Sequence, residues 1–574
     1  MSAGETLVDL LLARAEEGGS AGYHYLRDGE VDIEDLSYSD LARDAASIAG
    51  ELASAAPPGG RALLLYPPGL EFIRAFFGTL MAGVIAVPVA PPTGDLTAWA
   101  TALGRIIADA QPSVVLTTGD FRTAINEADL ELAADDLLWL ASDERSPLSA
   151  RPPGRQVRST DVAFIQYTSG STSFPKGVVL HHEHLLANLR AIQEAFHFTR
   201  DSRMASWLPM FHDMGLIGAV MEPLYTGIDA YFMSPLDFLQ KPVRWLEMIT
   251  RLEITVSGAP NFGYDLCVRK ADPEASALDL RSWEVAFNGA EVVRPATIDR
   301  FSELYAPVGF ERRAFLPCYG MAEASLLVSG VHFASEPTIV TGERQALERR
   351  AFVAHDDMAD EPSRLVSVGG APTGMETVIV GDDRAPLPEG EIGEIWVRGP
   401  SVGAGYWRNP DASTATFGAS LRDGTGPFLR TGDLGFVHGG ELFITGRIKE
   451  VLVIRGRNIF PHDIEDAAQR GDGRLRPGCG AAFAIDTGDG ELPVVVQEVR
   501  DESDDLDAIV AGIRSRVTAT LGVELGGIAL VPARTIPKTT SGKLRRVASC
   551  DVYLARDLPT LKHWTALPEV EAVT

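Results

Sequence analysis

The stretch VAFIQYTSGSTSFPKG, Val162 to Gly177, is a run of β-forming residues that breaks at once into a polar loop. Five hydroxyl residues of the Ser/Thr type, two glycines and a lysine fall within the eleven positions from Tyr167 to Gly177. Glycine lets a backbone approach a phosphate closely. Hydroxyls and N–H groups donate to phosphate oxygens, and Lys176 adds positive charge. The order is not G-x-x-x-x-G-K-[ST], so this is no Walker loop. An ordinary polar loop is the rival reading, and the full string with its proline and lysine argues against it.

Working outward, the same alternation recurs from about residue 60 to 330. RALLLY (Arg61 to Tyr66), SVVLTT (Ser113 to Thr118), ITVSGAP (Ile254 to Pro260) and WEVAFNG (Trp283 to Gly289) read as strands. Amphipathic segments such as GLEFIRAFFGTLMAG and EHLLANLRAIQEAF read as helices between them. This predicts layered α/β structure with largely parallel sheets. From about 367 to 446 strand signals dominate (METVIV, EIGEIWVRG, ELFITG), predicting a β subdomain. After Gly446 a short α+β unit follows, with strands near CGAAFAI and LPVVVQEV and a helix near DDLDAIVAGIRSRVTATL. The charge-rich stretch from Glu343 to Arg364 interrupts the rhythm and reads as an inserted element or a long loop.

Length and composition bound the rest. A chain of 574 residues is too long for one core, so at least two domains are expected. Hydrophobic content of 45% and charged content of 23% are those of an ordinary globular protein. The cysteines Cys267, Cys318, Cys479 and Cys550 form no CxxC pair, which argues against a zinc site or disulfide framework and fits a reducing cytoplasm. The start MSAGETLVDLL does not read as a signal peptide. The longest charge-free apolar run, Ala75 to Pro92, is short for a membrane span and reads as a buried helix turning into a strand. Net charge is −28, from 51 basic and 79 acidic residues, and no basic cluster is dense enough to suit a nucleic acid.

YTSGSTSFPKG resembles the phosphate loop of the adenylate-forming superfamily, which includes acyl-CoA synthetases, luciferases and the adenylation domains of peptide synthetases. The resemblance runs the length of the chain. SWLPMFHDMGLIG (Ser206 to Gly218) is similar to the segment bordering the acyl pocket. FNGAEVV (Phe287 to Val293) and LPCYGMAEAS (Leu316 to Ser325) resemble the adenine-side and metal-side motifs. TGDLG (Thr431 to Gly435) resembles the ribose motif, GRIKEVLVIRGRNIFPHDIE (Gly446 to Glu465) the domain hinge, and PKTTSGKLRR (Pro537 to Arg546) the catalytic-lysine loop. It implies a large N-terminal domain, residues 1–447, and a small mobile α+β domain, 448–574, with the hinge at Lys449.

The residue roles follow from the resemblance. Thr168, Ser169, Gly170, Ser171, Thr172 and Lys176 would cradle phosphates. Asn288, Gly289, Ala290, Cys318, Tyr319, Gly320, Met321 and Ala322 would contact the nucleotide. Glu323 would hold Mg²⁺ beside ATP, Asp433 and Arg447 would serve the ribose, and Lys543 would bridge carboxylate and α-phosphate. Trp207, His212 and Asp213 would border the acyl pocket, with Met210 among its walls. Activating a carboxylate with ATP needs no side-chain nucleophile, only positioning and charge cancellation, and these residue types supply both. Read alone, His212–Asp213 is half a triad, but the chain has no G-x-S-x-G elbow. HHEH (His181 to His184) lacks HExxH spacing and precedes an amphipathic run, so capping explains it.

Both branches of this chemistry begin with acyl-AMP. One passes the acyl group to CoA, and the other to the phosphopantetheine thiol of an acyl carrier protein. SWLPMFHDMGLIG, the run Met233 to Lys270 and RGRNIFPHDIE are closer to the second branch, the fatty acyl-AMP ligases. Glu343 to Arg364 lies where those ligases carry an insertion that restrains the small domain. A carrier is expected to meet Arg514, Arg516, Arg545 and Arg546. Fatty acyl-CoA synthetase is the alternative, and a non-catalytic scaffold the remote one, which Lys543, Glu323 and Asp433 oppose. Phe174 and His181 depart from the family's usual residues.

Overall fold

The computed structural model describes residues 5–92, 94–128, 137–144, 156–168, 175–273, 277–355, 363–486, 491–501, 505–538 and 542–566. The chain forms two compact units. One comprises residues 1–338, 366–378 and 396–431, and the other 339–365, 379–395 and 432–574.

In the first unit the expected α/β layers are built on two sheets. One runs, edge to edge, Leu138–Ala141, Val114–Thr117, Arg61–Leu65, Ile85–Val89, Val162–Thr168 and Lys176–His181. Its neighbours are parallel except the last pair, in which Tyr167 faces Gly177 and Thr168 faces Lys176. The other sheet runs Leu327–Gly330, Phe315–Gly320, Val285–Asn288, Val256–Gly258, Arg203–Ser206, Asp229–Phe232, Gly22–Leu26 and Ile33–Ser37. Its middle strands are parallel, so Asn288 and Tyr319 fall at their carboxyl ends. In open α/β sheets that edge is where ligands bind. The run Ala75 to Pro92 becomes the end of helix Leu70–Met81 and the strand Ile85–Val89. That helix is apolar almost all round and buried almost all round, as its composition requires.

The second unit contains the expected α+β element. Strands Leu475–Asp486, Glu491–Val499, Gly527–Val531 and Lys562–Thr565 form one sheet, covered by helices Pro461–Gln469 and Leu506–Leu521. Ile464, Val495, Ile513 and Ile528 meet in its core. The β-rich stretch forms a sheet in the order Glu376–Val380, Gly393–Arg398, Leu429–His438 and Glu441–Arg447, and the chain passes from one unit to the other within the first three of these strands.

The interruption at 343–364 is part of the second unit. It opens with the short helix Arg344–Glu348, whose Leu347 packs with Phe352, Phe436, Phe443 and Phe460. Glu348 is 7% exposed and takes two hydrogen bonds from the Arg457 guanidinium, at 2.8 and 2.7 Å. Asn458 donates to the Glu348 carbonyl at 2.8 Å. The insertion therefore grips residues on both sides of Lys449. No helix among the described residues is long and apolar enough to cross a membrane.

Candidate active site

Two antiparallel strands bracket the glycine–hydroxyl loop, and Thr168 and Lys176 stand at its two ends. Ser169, Gly170, Ser171, Thr172 and Phe174 lie outside the described residues. Lys176 Nζ sits 4.7 Å from the centroid of the Tyr406 ring. The Tyr406 hydroxyl donates to Glu323 Oε1 at 2.9 Å. One phenol thus touches both the cation of one sheet's edge strand and the carboxylate that follows the other sheet's strand.

Glu323 occupies the tip of a hairpin joining Phe315–Gly320 to Leu327–Gly330. The tip is a single 3-10 turn, Ala322–Ala324, followed by Ser325 at φ 66° and ψ −72°, with Leu326 N–H donating to the Ala324 carbonyl. This is a γ-turn in its strained form. The Ser325 hydroxyl donates to the Ser401 carbonyl at 2.8 Å. Asn188, fully buried on helix His182–Phe196, donates to the carbonyls of Ala324 and Leu327 and accepts from Leu327 N–H. A hard carboxylate oxygen donor, half-buried and held on a phenol, fits Mg²⁺, which takes most of its ligands from water and phosphate.

Of the residues expected to contact a nucleotide, Asn288 is fully buried and its Oδ1 has no partner among the described residues. A buried acceptor left unpaired costs about 1–3 kcal/mol, so the position suits a donor from a ligand. A Cβ on Gly289 would lie 2.8 Å from Cys318 Sγ, which only glycine avoids. Ala290 holds φ 71°, a strained value for alanine of the sort that collects at functional sites. Burial pushes the Cys318 thiol up to about 12, so it stays protonated and packs as a small apolar group. Tyr319 and Met321 are half-buried, the tyrosine hydroxyl 3.9 Å from Met321 Sδ, while Ala322 is 4% exposed.

The segment Ser206 to Gly218 turns from a strand into a π-helix, Met214–Met221. His212 Nδ1 lies 2.6 Å from Asp213 Oδ1, and that oxygen also accepts from Met214 N–H. This is a capping pair. Met210 lines a shallow apolar recess that encloses about 30 Å³ and is otherwise open to solvent, with Tyr25, Tyr66, Leu208, Phe211 and Met233. Trp207 is 3% exposed and stacked on Phe238 at 3.9 Å.

In the second unit Asp433 is 5% exposed and accepts from Arg447 Nε at 2.8 Å, the two residues being cross-strand partners. Gly432 N–H donates to Glu394. Lys449 is exposed in the 3-10 turn Ile448–Glu450. Lys543 is half-buried in a loop closed at its base by the Lys538–Leu544 bridge and by Arg545 N–H donating to the Pro537 carbonyl. Arg546 is clamped by Glu450 at 2.7 Å and by Glu465 at 2.7 and 2.8 Å, so it is no surface contact for a carrier. Arg545 and Arg514 remain exposed, the latter over the Trp564 ring.

The ligand atoms of His181, Glu183 and His184 lie within 4.8 Å of one another. His184 Nδ1, however, accepts from His181 N–H at the start of a helix, a capping contact, and the positive helix end disfavours a cation.

The AMP-binding enzyme family matches residues 20–407. The medium-chain-fatty-acid–[acyl-carrier-protein] ligase JamA of Moorena producens is 42% identical, over 98% of this chain and 97% of its own. The fatty acyl-adenylate ligase of Legionella pneumophila, solved with acyl adenylate and pyrophosphate, is 38% identical, covers 98% of each chain and has a TM-score of 0.75. The chain belongs to the AMP-binding enzyme family, among the fatty acyl-AMP ligases. A putative fatty-acid–CoA ligase of Mycobacterium tuberculosis, fadD25, is 35% identical over 91% of this chain and 92% of its own.

Sequence reading singled out Lys176 and Glu323 of this ligase but missed Tyr406, Asn188 and Ser325. GAGYW carries no chemical signature for Tyr406, and Asn188 looks like any polar residue on an amphipathic helix. A serine forced into positive φ leaves no trace in composition.

Proposed function

We propose that this enzyme uses ATP to convert a fatty acid to fatty acyl-AMP and passes the acyl group to the phosphopantetheine thiol of an acyl carrier protein. The observation that carries the reading is the end-to-end likeness to JamA, 42% identical over 98% of the chain, with Lys176, Glu323, Asp433 and Lys543 all in place. In the first step a carboxylate oxygen bonds to the α-phosphorus, and the bond to pyrophosphate breaks. In the second, thiol sulfur bonds to the acyl carbon, AMP leaves, and the thiol proton is lost.

Neither step requires a side-chain nucleophile. Lys543 cancels charge between carboxylate and α-phosphate, and Lys176 does so at the outer phosphates, acting on charge that must be brought together. Glu323 is the ligand for Mg²⁺, which would neutralise phosphate charge when bound. Asn288, Gly289, Ala290 and the Cys318–Ala322 strand end receive the nucleotide, with Thr168 and the loop through Thr172 on its phosphates. Asp433 and Arg447 serve the ribose. The recess at Met210 receives the acyl chain, in the segment shaped by Trp207, His212 and Asp213. Residues 1–447 and 448–574 act as the two functional domains, with Lys449 as the hinge. The reaction is assigned to the cytoplasm.

Two assays test the reading. ATP–pyrophosphate exchange across fatty acids from C4 to C20 should show a preferred length, each buried CH₂ being worth about 0.8 kcal/mol. Incubation with ATP, the preferred acid and either holo carrier protein or CoA should give acyl carrier by mass spectrometry and little acyl-CoA by chromatography. Efficient acyl-CoA synthesis would overturn the carrier assignment and leave adenylation standing.

A further inference from the structure

The phenol that joins Lys176 to Glu323 is fixed on every side. Tyr406 is 8% exposed. Its segment lies antiparallel to the strand that carries Lys176. Val178 bridges to Tyr406, Val179 N–H donates to the Gly405 carbonyl, Ala404 N–H donates to that of Val179, and Trp407 N–H to that of Gly177. Tyr406 N–H donates to Ser413 Oγ at 2.8 Å, and the ring stands edge-on to Phe417 at 5.2 Å. On the other flank, Gly403 N–H donates to the Glu323 carbonyl at 2.9 Å. A ring held this firmly presents its face to an ammonium and its hydroxyl to a carboxylate with little freedom in either. Buried tyrosine hydroxyls generally find a partner. Here the partner is a charged oxygen in the hairpin tip whose backbone is already strained.

We infer that Tyr406 is a positioning residue for nucleotide activation, orienting the Glu323 carboxylate toward the magnesium-carrying phosphates while its ring seats the Lys176 ammonium. The inference rests on the reading of Glu323 as the magnesium ligand. A hydroxyl donating to one carboxylate oxygen fixes the carboxyl plane and directs the other oxygen. A cation over a ring face is attracted by the ring quadrupole and keeps its N–H groups for other acceptors. Tyr406 touches neither substrate nor metal in this scheme and acts through the two residues it holds.

Calorimetric titration of the full chain with α,β-methylene-ATP, with and without Mg²⁺ and with no fatty acid, separates the possibilities. The wild type should bind the analogue more tightly with Mg²⁺. Tyr406→Phe keeps the ring and deletes the hydroxyl. It should lose most of that magnesium-dependent gain, about tenfold for a hydrogen bond to a charged group, with metal-free affinity and melting temperature close to wild type. A Tyr406→Phe protein with the full gain overturns the inference, and one that melts far lower with the gain intact marks a packing role and overturns it equally. Glu323→Gln separates the two levels. If it loses the gain while Tyr406→Phe keeps it, only the positioning role falls. If Glu323→Gln keeps the gain, the magnesium assignment falls and takes the positioning role with it.

Discussion

Lys543 is a compact cation on a flexible stem, in a loop closed at its base by the Lys538–Leu544 bridge and by Arg545 N–H donating to the Pro537 carbonyl. Lys543→Ala should therefore leave the melting curve unchanged and lower ATP–pyrophosphate exchange about 100-fold or more, the scale of a lost transition-state charge contact. Exchange within a few-fold of wild type would remove Lys543 from the reaction. Asp433 is buried, while its partner Arg447 keeps 55% of its side chain in solvent. Removing the aspartate leaves that guanidinium hydrated, so loss of this ion pair itself should cost little stability. Asp433→Ala should instead raise the KM for ATP about tenfold or more, since each hydrogen bond to a charged acceptor is worth about 1.5–3 kcal/mol. An equal rise in the KM for fatty acid would make Asp433 a turn residue only.

Short elements set what those residues can reach. The hairpin tip carrying Glu323 is strained at Ser325 and latched by Asn188. Asn188→Ala leaves two carbonyls and one N–H buried without that partner, at about 1–3 kcal/mol for each group that stays unpaired. We expect a lower melting temperature and a raised KM for ATP. A drop in stability with unchanged ATP kinetics would show that the latch serves packing alone. Glu222, at the end of the π-helix, is fully buried, accepts from the Thr226 hydroxyl, and has no partner for Oε2 among the described residues. Burial raises its carboxyl well above the ordinary 4.5. A carboxyl that titrates higher when folded loses stability as pH climbs from the ordinary value toward the folded one. Glu222→Gln should accordingly raise the melting temperature more at pH 8 than at pH 5. An equal gain at both would mean that Glu222 titrates normally.

At the scale of the whole molecule, the insertion is tied to residues before and after Lys449. Leu347 and Phe352 pack with Phe436 and Phe443, and Glu348 pairs with Arg457. A link of that kind would oppose rotation at the proposed hinge, Lys449. Arg457→Ala leaves the buried Glu348 without that guanidinium; because Arg457 keeps 37% of its side chain in solvent, the cost falls below the roughly 3–5 kcal/mol of a fully buried pair. The substitution should loosen the tie and raise the share of acyl-CoA in competition with holo carrier protein. Deleting residues 343–364 should do so more strongly, with a melting curve to show that the fold survives. A folded deletion protein that still makes little acyl-CoA would acquit the insertion. Charge bears on the carrier more weakly. From Glu450 onward there are 15 basic and 19 acidic residues, a net of −4 out of −28, so this segment repels an acidic partner least.

Much of this protein is legible in its residues because the relevant physics is local. Alternating β-rich and amphipathic runs determined the α/β layers, the run Ala75 to Pro92 its helix and strand, and Asp433 and Lys543 stand out because turn chemistry and charge sit in short strings. Glu323 is legible as a hard ligand in a loop, and the tip of a hairpin holds it. What the tertiary structure alone decided are contacts between residues far apart in the chain: Tyr406 on Lys176 and Glu323, Asn188 under the Glu323 hairpin, Glu348 on Arg457, and Arg546 withdrawn between Glu450 and Glu465. Each depends on which strands become neighbours, a property of packing that no local pattern encodes.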